Sequence, residues 1–461
     1  MSDLDRILAH LDGDLDAALE RLFALVRTKS ISTDPAYKEE CVKAANWLVA
    51  DLATMGFDAE AVQTEGHPIV LARGGEGAPH VVFYGHYDVQ PVDPIELWDH
   101  DPFEPAIRTR ADGIKIITGR GTSDDKGQVM TFLEACRAWH AVTGALPCRI
   151  TMLIEGEEES GGKSLKTFLK TRGGEIGADL ALVCDTTMWN RQTPAITTQL
   201  RGNVTEELTV KAANRDLHSG VYGNAAANAN TVLVNALAGL RDAKGRVTVP
   251  GFYGDVPELP DAIRAQWETL GFDQSQFLGD VGLSIKAGEQ DRSALEQVWA
   301  RPSCEINGIW GGYTGAGFKT VIPAEAHAKV SFRLVGTQDP KAIREAFRAH
   351  IRAAIPADCT VEFTAHGDGK ATTMPTDSPA FEAARRALSE EWGTEAAFIG
   401  AGGSIPVVSQ FQEHLGLHSM LIGFGLEDDA LHSPNEKYDL ASFTKGARAW
   451  VRVLGALAQQ G

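Results

Sequence analysis

Apolar and polar positions follow two different rhythms along the chain. From residue 80 the sequence reads HVVFYGHYDV, an apolar run of strand length, then GQVMTFLEACRAW at helical spacing. CRITMLIEGEE, SLKTFLKTRG and ADLALVCD continue as strand, helix and strand. Such alternation predicts an α/β fold with a mainly parallel sheet and helices on both faces. The rhythm changes at residues 200–212, LRGNVTEELTVKA, where apolar and polar residues alternate one by one, as in a strand with one wet face. A helical stretch over 224–240, the strands HAKVSFRLV and CTVEFTAHG, and a helix at about 340–354 complete an α+β module. After about residue 373 the first rhythm resumes in SPAFEAARRALSEEW and HSMLIGFGL, and the chain closes on the helix SFTKGARAWVRVLGALAQ. The pattern therefore predicts a split main domain, residues 1–197 and 373–461, with 198–372 inserted. At 461 residues the chain is three times a common domain of ~150 residues, and the insertion accounts for the excess.

Charge narrows the choice of partners. With 62 acidic against 43 basic residues the net charge is -19, which repels phosphate backbones and anionic lipid and favours cations. No nucleic acid and no membrane are expected, and no apolar run approaches the ~20 residues that span a bilayer. The six cysteines (Cys41, Cys136, Cys148, Cys184, Cys304 and Cys359) form no C-x-x-C pair and read as buried thiols in a reducing compartment. The opening MSDLDRILAHLDGDLDAALERLFALVRTKSIS interleaves apolar residues with charges, unlike an export signal, so the expected location is cytoplasmic.

Parallel sheets bind ligands beyond the carboxyl ends of their strands. In this chain the polar residues gather at those ends: His86 and Asp88 after the first strand, Glu157, Glu158 and Glu159 after the second, Asp185 after the third. His86 and Asp88, two apart, project to one side, and a carboxylate beside an imidazole fixes its tautomer; a core histidine satisfied by its neighbour is the ordinary alternative. GRGTSDDKG, residues 119–127, invites a phosphate-loop reading but lacks G-x-x-x-x-G-K-[ST] and carries Asp124 where a dinucleotide fingerprint needs glycine. Its anionic residues point to a cation, with a helix cap as the alternative. EGEEESGG, residues 155–162, would be costly at a buried strand end without cations, although most such charge runs are solvated faces. His432, after HSMLIGFGL, adds a second histidine at the same sheet edge. Two histidines with three or four carboxylates describe a two-cation hydrolytic centre better than a redox or nucleophile site. GGSIP, residues 402–406, fails as a nucleophile elbow because Pro406 stands where glycine is needed.

In this order GHYDV, GRGTSDDKG, EGEEESGG, LVCD, DLHSGVYG, KTVIP, GGSIP and LHSPNEKY resemble the M20 family of di-metal aminoacylases, carboxypeptidases and dipeptidases. They look closest to its carnosinase-like dipeptidase branch. The resemblance implies a zinc-exopeptidase-like fold whose inserted module is a lid and dimerisation domain. It makes Asp124 the carboxylate bridging two divalent metal ions, with His86 and Asp185 on one and Glu159 and His432 on the other. Zinc is the expected metal, with manganese or cobalt as alternatives. Glu158 would be the general base toward a metal-bridging water, with Asp88 orienting His86. His218 would reach the partner subunit's site in a homodimer and steady the oxyanion. The peptide after Asp124 is expected to be cis. Arg333 would grip the substrate's terminal carboxylate, aided by Thr320, His366 and Ser404; an acidic neighbour in the strand layer is the alternative partner for Arg333. The implied function is hydrolysis of dipeptides or short peptides next to a free carboxylate. Ala401 stands before GGSIP where this branch carries an acid, which brings in N-acyl or carbamoyl amino acids as alternative substrates. A catalytically dead dimeric ligand- or metal-binding homologue is the non-enzymatic alternative.

Overall fold

Phe83 and Tyr84 are adjacent in the strand His80–His86, so their side chains leave on opposite faces of the sheet. Phe83 stacks on Phe132 of the helix Lys126–Thr143 at 3.8 Å between ring centroids, and Trp450 of the helix Leu440–Ala458 meets both rings edge-on. Tyr84 meets Phe411 of the helix Pro406–Leu415 at 5.9 Å. Helices thus cover both faces, and all five aromatic residues are essentially excluded from solvent.

These are the sheet layers of a computed structural model that describes residues 2–460. Its central strands run in the order Arg149–Glu155, His80–His86, Leu180–Val183 and Ser419–Leu421, all parallel. The margins reverse direction. Ile69–Gly74 runs antiparallel to Arg149–Glu155, Asp58–Val62 folds back on it, and Ala195–Leu200 meets Ser419–Leu421 antiparallel. The expected mainly parallel sheet thus has a parallel centre and antiparallel margins. A small antiparallel sheet of Ala106–Thr109, Lys115–Thr118 and Lys437–Asp439 ties the segment after His432 to the segment before Asp124.

The chain divides into two compact units. The first runs up to Thr198 and includes Met374–Ile399 and the chain from Pro406 onward; the second comprises Gln199–Thr373 and Gly400–Ile405. That short strip interrupts the stretch 373–461 that sequence rhythm groups into one domain. The second unit contains an antiparallel sheet in the order Ser303–Gly311, Glu325–Leu334, Gly202–Lys211 and Thr360–Gly369. Burial alternates strictly along Gly202–Lys211, and the buried face packs on helices Ala229–Ala238 and Pro340–Ala354 through Leu208, Leu233 and Phe347.

Two elements are shorter than their patterns suggest. The helix expected over 224–240 begins only at Ala229, because the Asn228 side chain accepts the first free N–H groups, from Asn230 and Thr231. HSMLIGFGL forms ladder only over Ser419–Leu421, since the Phe424 N–H goes to the Gln128 side-chain oxygen instead. Among the described residues no helix is long and apolar enough to cross a membrane.

Candidate metal centre

The carboxyl ends of the central strands converge on Asp124. One of its oxygens lies 3.1 Å from Nε2 of His86 and the other 2.8 Å from Nε2 of His432. Asp185, just past Leu180–Val183, brings an oxygen to 3.8 Å from His86 Nε2; Glu159 brings one to 3.4 Å from His432 Nε2. His86, Asp124 and Asp185 thus form one group of metal-competent donors, and Asp124, Glu159 and His432 a second. Asp124 belongs to both. The two groups differ in exposure: the His86 side chain is 1% exposed and that of His432 is 56%. The Asp124–Asp125 peptide is cis, as the resemblance implies.

Asp88 meets His86 through its main chain as well as its side chain. The nearest acceptor for His86 Nδ1 is the Asp88 main-chain carbonyl at 3.0 Å, while its carboxylate oxygen lies at 3.4 Å. That carboxylate also accepts the N–H groups of Glu158 and Glu159 at 3.3 and 3.1 Å, orienting the whole acidic turn. One residue therefore fixes the imidazole and the turn together. Sequence reading missed three further supports. Gln90 donates to Glu159 at 2.7 Å, buried Asp125 accepts the His86 N–H at 3.1 Å, and Glu436 accepts the Asp124 N–H at 3.1 Å. Asp125 and Glu436 both lie inside motifs already singled out, but nothing in their spacing reveals which N–H groups they meet.

Crowding of acids perturbs protonation. Burial, reinforced by the charge on Asp124, pushes Glu159 up to about 8 and Asp185 up to about 7. Burial also raises Glu158, with the Asp88 and Asp124 charges adding to it. Burial opposes ionisation of Asp124, yet hydrogen bonds from His432 and His86 outweigh it and hold that carboxyl below its ordinary range. The bond to Asp124 lifts His432 to about 9. Burial works against the His86 imidazolium, but its bonds to Asp124 and Asp88 raise it well above the usual value. This donor set fits divalent cations: two imidazole Nε2 atoms and three carboxylates, with the other His86 nitrogen already fixed by a carbonyl.

The remaining candidates lie in the second unit. His218 ends the short strand Leu217–His218, is exposed, and accepts the Gly220 N–H on Nδ1 at 2.9 Å. Thr320 is exposed beside it, its carbonyl accepting the Ser219 N–H at 3.1 Å. Arg333, half-buried on Glu325–Leu334, is near Arg201, whose guanidinium donates to the Gly402 carbonyl at 2.9 Å. Burial and the Arg333 charge lower Arg201 to about 10. His366 is exposed, with Nε2 3.2 Å from Glu207, and Ser404 is exposed on the strip Gly400–Ile405.

A family model described as Peptidase family M20/M25/M40 matches residues 82–456. The chain belongs to this family. It is 30% identical over 452 residues to a Cys-Gly metallodipeptidase of Candida albicans, covering 93% of this chain and 92% of that protein. It is 28% identical to the human Beta-Ala-His dipeptidase, covering 99% and 93%. Among solved structures, an M20 family metallo-carboxypeptidase of Sulfolobus solfataricus superposes with a TM-score of 0.79 at 29% identity, covering 96% of this chain and 99% of that one. This M20 chain is a metal-dependent peptidase of the carnosinase-like branch.

Proposed function

We propose that this protein is a dipeptidase that hydrolyses the amide next to a free carboxylate, using two divalent ions per chain. His86, Asp124 and Asp185 would hold one ion, and Asp124, Glu159 and His432 the other. The observation that carries the reading is that the two oxygens of Asp124 face two different histidines, each with a further carboxylate beside it. Zinc suits the mixed imidazole and carboxylate donors, with manganese or cobalt as alternatives. When bound, such ions polarise a carbonyl and acidify water.

The side chains do the rest. Glu158 lies outside both donor groups, and burial raises its affinity for a proton, as befits a base that takes a proton and returns it to the leaving amine. Asp88 holds the Glu158 main chain, which limits where the carboxylate can swing. In the second unit, Arg333 and Arg201 are neighbouring guanidiniums, and Arg333 has no carboxylate partner among the described residues. This supports Arg333 as the receiver of a substrate carboxylate, with Thr320, His366 and Ser404 as polar helpers.

The Candida albicans and human relatives act on dipeptides by name, which favours dipeptides over N-acyl or carbamoyl amino acids. Because Glu158 and every donor position are present, a dead homologue is disfavoured. The test is a hydrolysis panel of dipeptides, their C-terminal amides and matched N-acyl amino acids, with metal content measured alongside. Chelator is expected to abolish hydrolysis of free-carboxylate dipeptides, and added Zn²⁺ to restore it. The ion beside the more exposed His432 should leave first. Two bound metals with no chelator-sensitive hydrolysis of any panel member would sink the reading, and amides cleaved as fast as acids would remove the Arg333 assignment.

We also propose a homodimer through the second unit. Its edge strand Ser303–Gly311 exposes Ile306, Ile309 and Trp310, and Val234 of the helix Ala229–Ala238 is 50% exposed. His218 would serve the partner's site. Mixing subunits of Glu158→Ala with subunits of His218→Ala should then restore about a quarter of wild-type activity, since half of random dimers are mixed and each has one complete site. No recovery after verified subunit exchange would place His218 outside the partner's chemistry. A cytoplasmic location remains our reading, supported by six buried, free cysteines.

A further inference from the structure

The glycine-rich loop 119–127 has the geometry of an anion cradle, and the chain fills it with its own carboxylate. Glu436, fully buried, accepts the N–H groups of Gly121, Ser123 and Asp124 at 3.0, 2.9 and 3.1 Å. A fourth donor, the guanidinium of buried Arg120, lies at 2.8 Å. That guanidinium also donates to the Pro91 carbonyl at 3.0 Å and lies over the Trp98 ring at 5.3 Å. Four donors on one carboxylate, one of them a guanidinium, make a stiff, charge-assisted joint.

Glu436 lies four residues after His432. Three residues before His432, Asp429 makes an independent second joint, accepting the Ser123 hydroxyl at 2.7 Å while Lys437 neutralises it at 2.5 Å. The segment that carries one imidazole thus grips the loop that carries Asp124 at two points, one on each side of His432. Between those joints His432 itself has a φ of 56°, and Ala430 and Asn435 have 55° and 64°, backbone that L residues seldom adopt unless held there.

We infer that Glu436 is a positioning residue of the metal centre: it sets the spacing between Asp124 and His432, and thereby the affinity for both ions that Asp124 would share. The inference rests on the two-ion reading above. It assigns Glu436 no contact with substrate or metal. Removing the carboxylate frees three N–H groups and one guanidinium, so the loop loses its fixed distance from His432 while the ligands themselves stay intact.

The test is competition for Zn²⁺ between the metal-free full-length protein and a chromogenic chelator, well below the melting temperature of each variant. Glu436→Gln is expected to weaken Zn²⁺ binding at least ~10-fold, as loss of outer-sphere support does. Its kcat should fall while KM stays within about threefold of wild type. Glu436→Asp keeps the charge and should fall between the two; it carries the test if Glu436→Gln does not fold. Phe381→Leu, a core change in the helix Pro379–Trp392, controls for general destabilisation and should lower the melting temperature without altering Zn²⁺ affinity. A weakening below about threefold in the folded variant, or one matched by Phe381→Leu, overturns the inference. Failure of the wild-type protein to bind Zn²⁺ at all would instead overturn the two-ion reading.

Discussion

Glu158→Gln is expected to lower kcat by about 10²–10⁴-fold, the range general acid–base catalysis contributes, with KM little changed. Glutamine keeps the size and the main-chain bond to Asp88, so the turn that carries Glu159 stays in register. Metal content should remain that of the wild type, because Glu158 belongs to neither donor group. Steady-state kinetics with elemental analysis of the same sample separates the two effects. Activity within tenfold of wild type would remove Glu158 as the base, while lost metal would make it a structural support instead.

Asp124→Ala is expected to remove both ions and more than ~10³-fold of the activity, since the chemistry that acidifies water goes with them. It also strips His86 and His432 of their shortest carboxylate contacts, at 3.1 and 2.8 Å, leaving the buried imidazole of His86 with Asp88 at 3.4 Å and Asp185 at 3.8 Å. A second readout does not depend on turnover. Ligand binding to the native state raises the melting temperature, so added Zn²⁺ should stabilise the wild-type protein and leave Asp124→Ala unchanged. A variant that still takes up two equivalents of Zn²⁺ with unchanged affinity would refute a bridging role for Asp124.

Local chemistry made much of the fold readable. The run VVFY reads as a buried strand, and Phe83 and Tyr84 do meet helices on opposite faces. The change of rhythm near residue 200 falls where the chain passes from one compact unit to the other at Thr198. Polar residues stand out wherever they close an apolar strand, which is what makes His86, Glu158, Glu159 and Asp185 candidates from sequence. What stayed hidden depends on partners far apart in the chain. Glu436 meets Asp124 across 312 positions, and spacing says nothing about such a bond. Asp88 shows the same limit at short range: its pairing with His86 was legible, but its hold on the N–H groups of Glu158 and Glu159, 70 and 71 positions away, was not. The direction of the marginal strands was not legible, because strands reversed at an edge share the composition of parallel ones.

The joint between Glu436 and the loop of Asp124 also sets an order of events during synthesis. Asp124 leaves the ribosome more than 300 residues ahead of His432 and Glu436, which are needed to complete the second donor group and to hold the loop. A nascent chain can therefore present His86, Asp124 and Asp185 while still unable to assemble the shared centre. On the two-ion reading, pair-wise metal loading would wait for the segment that carries His432 and Glu436.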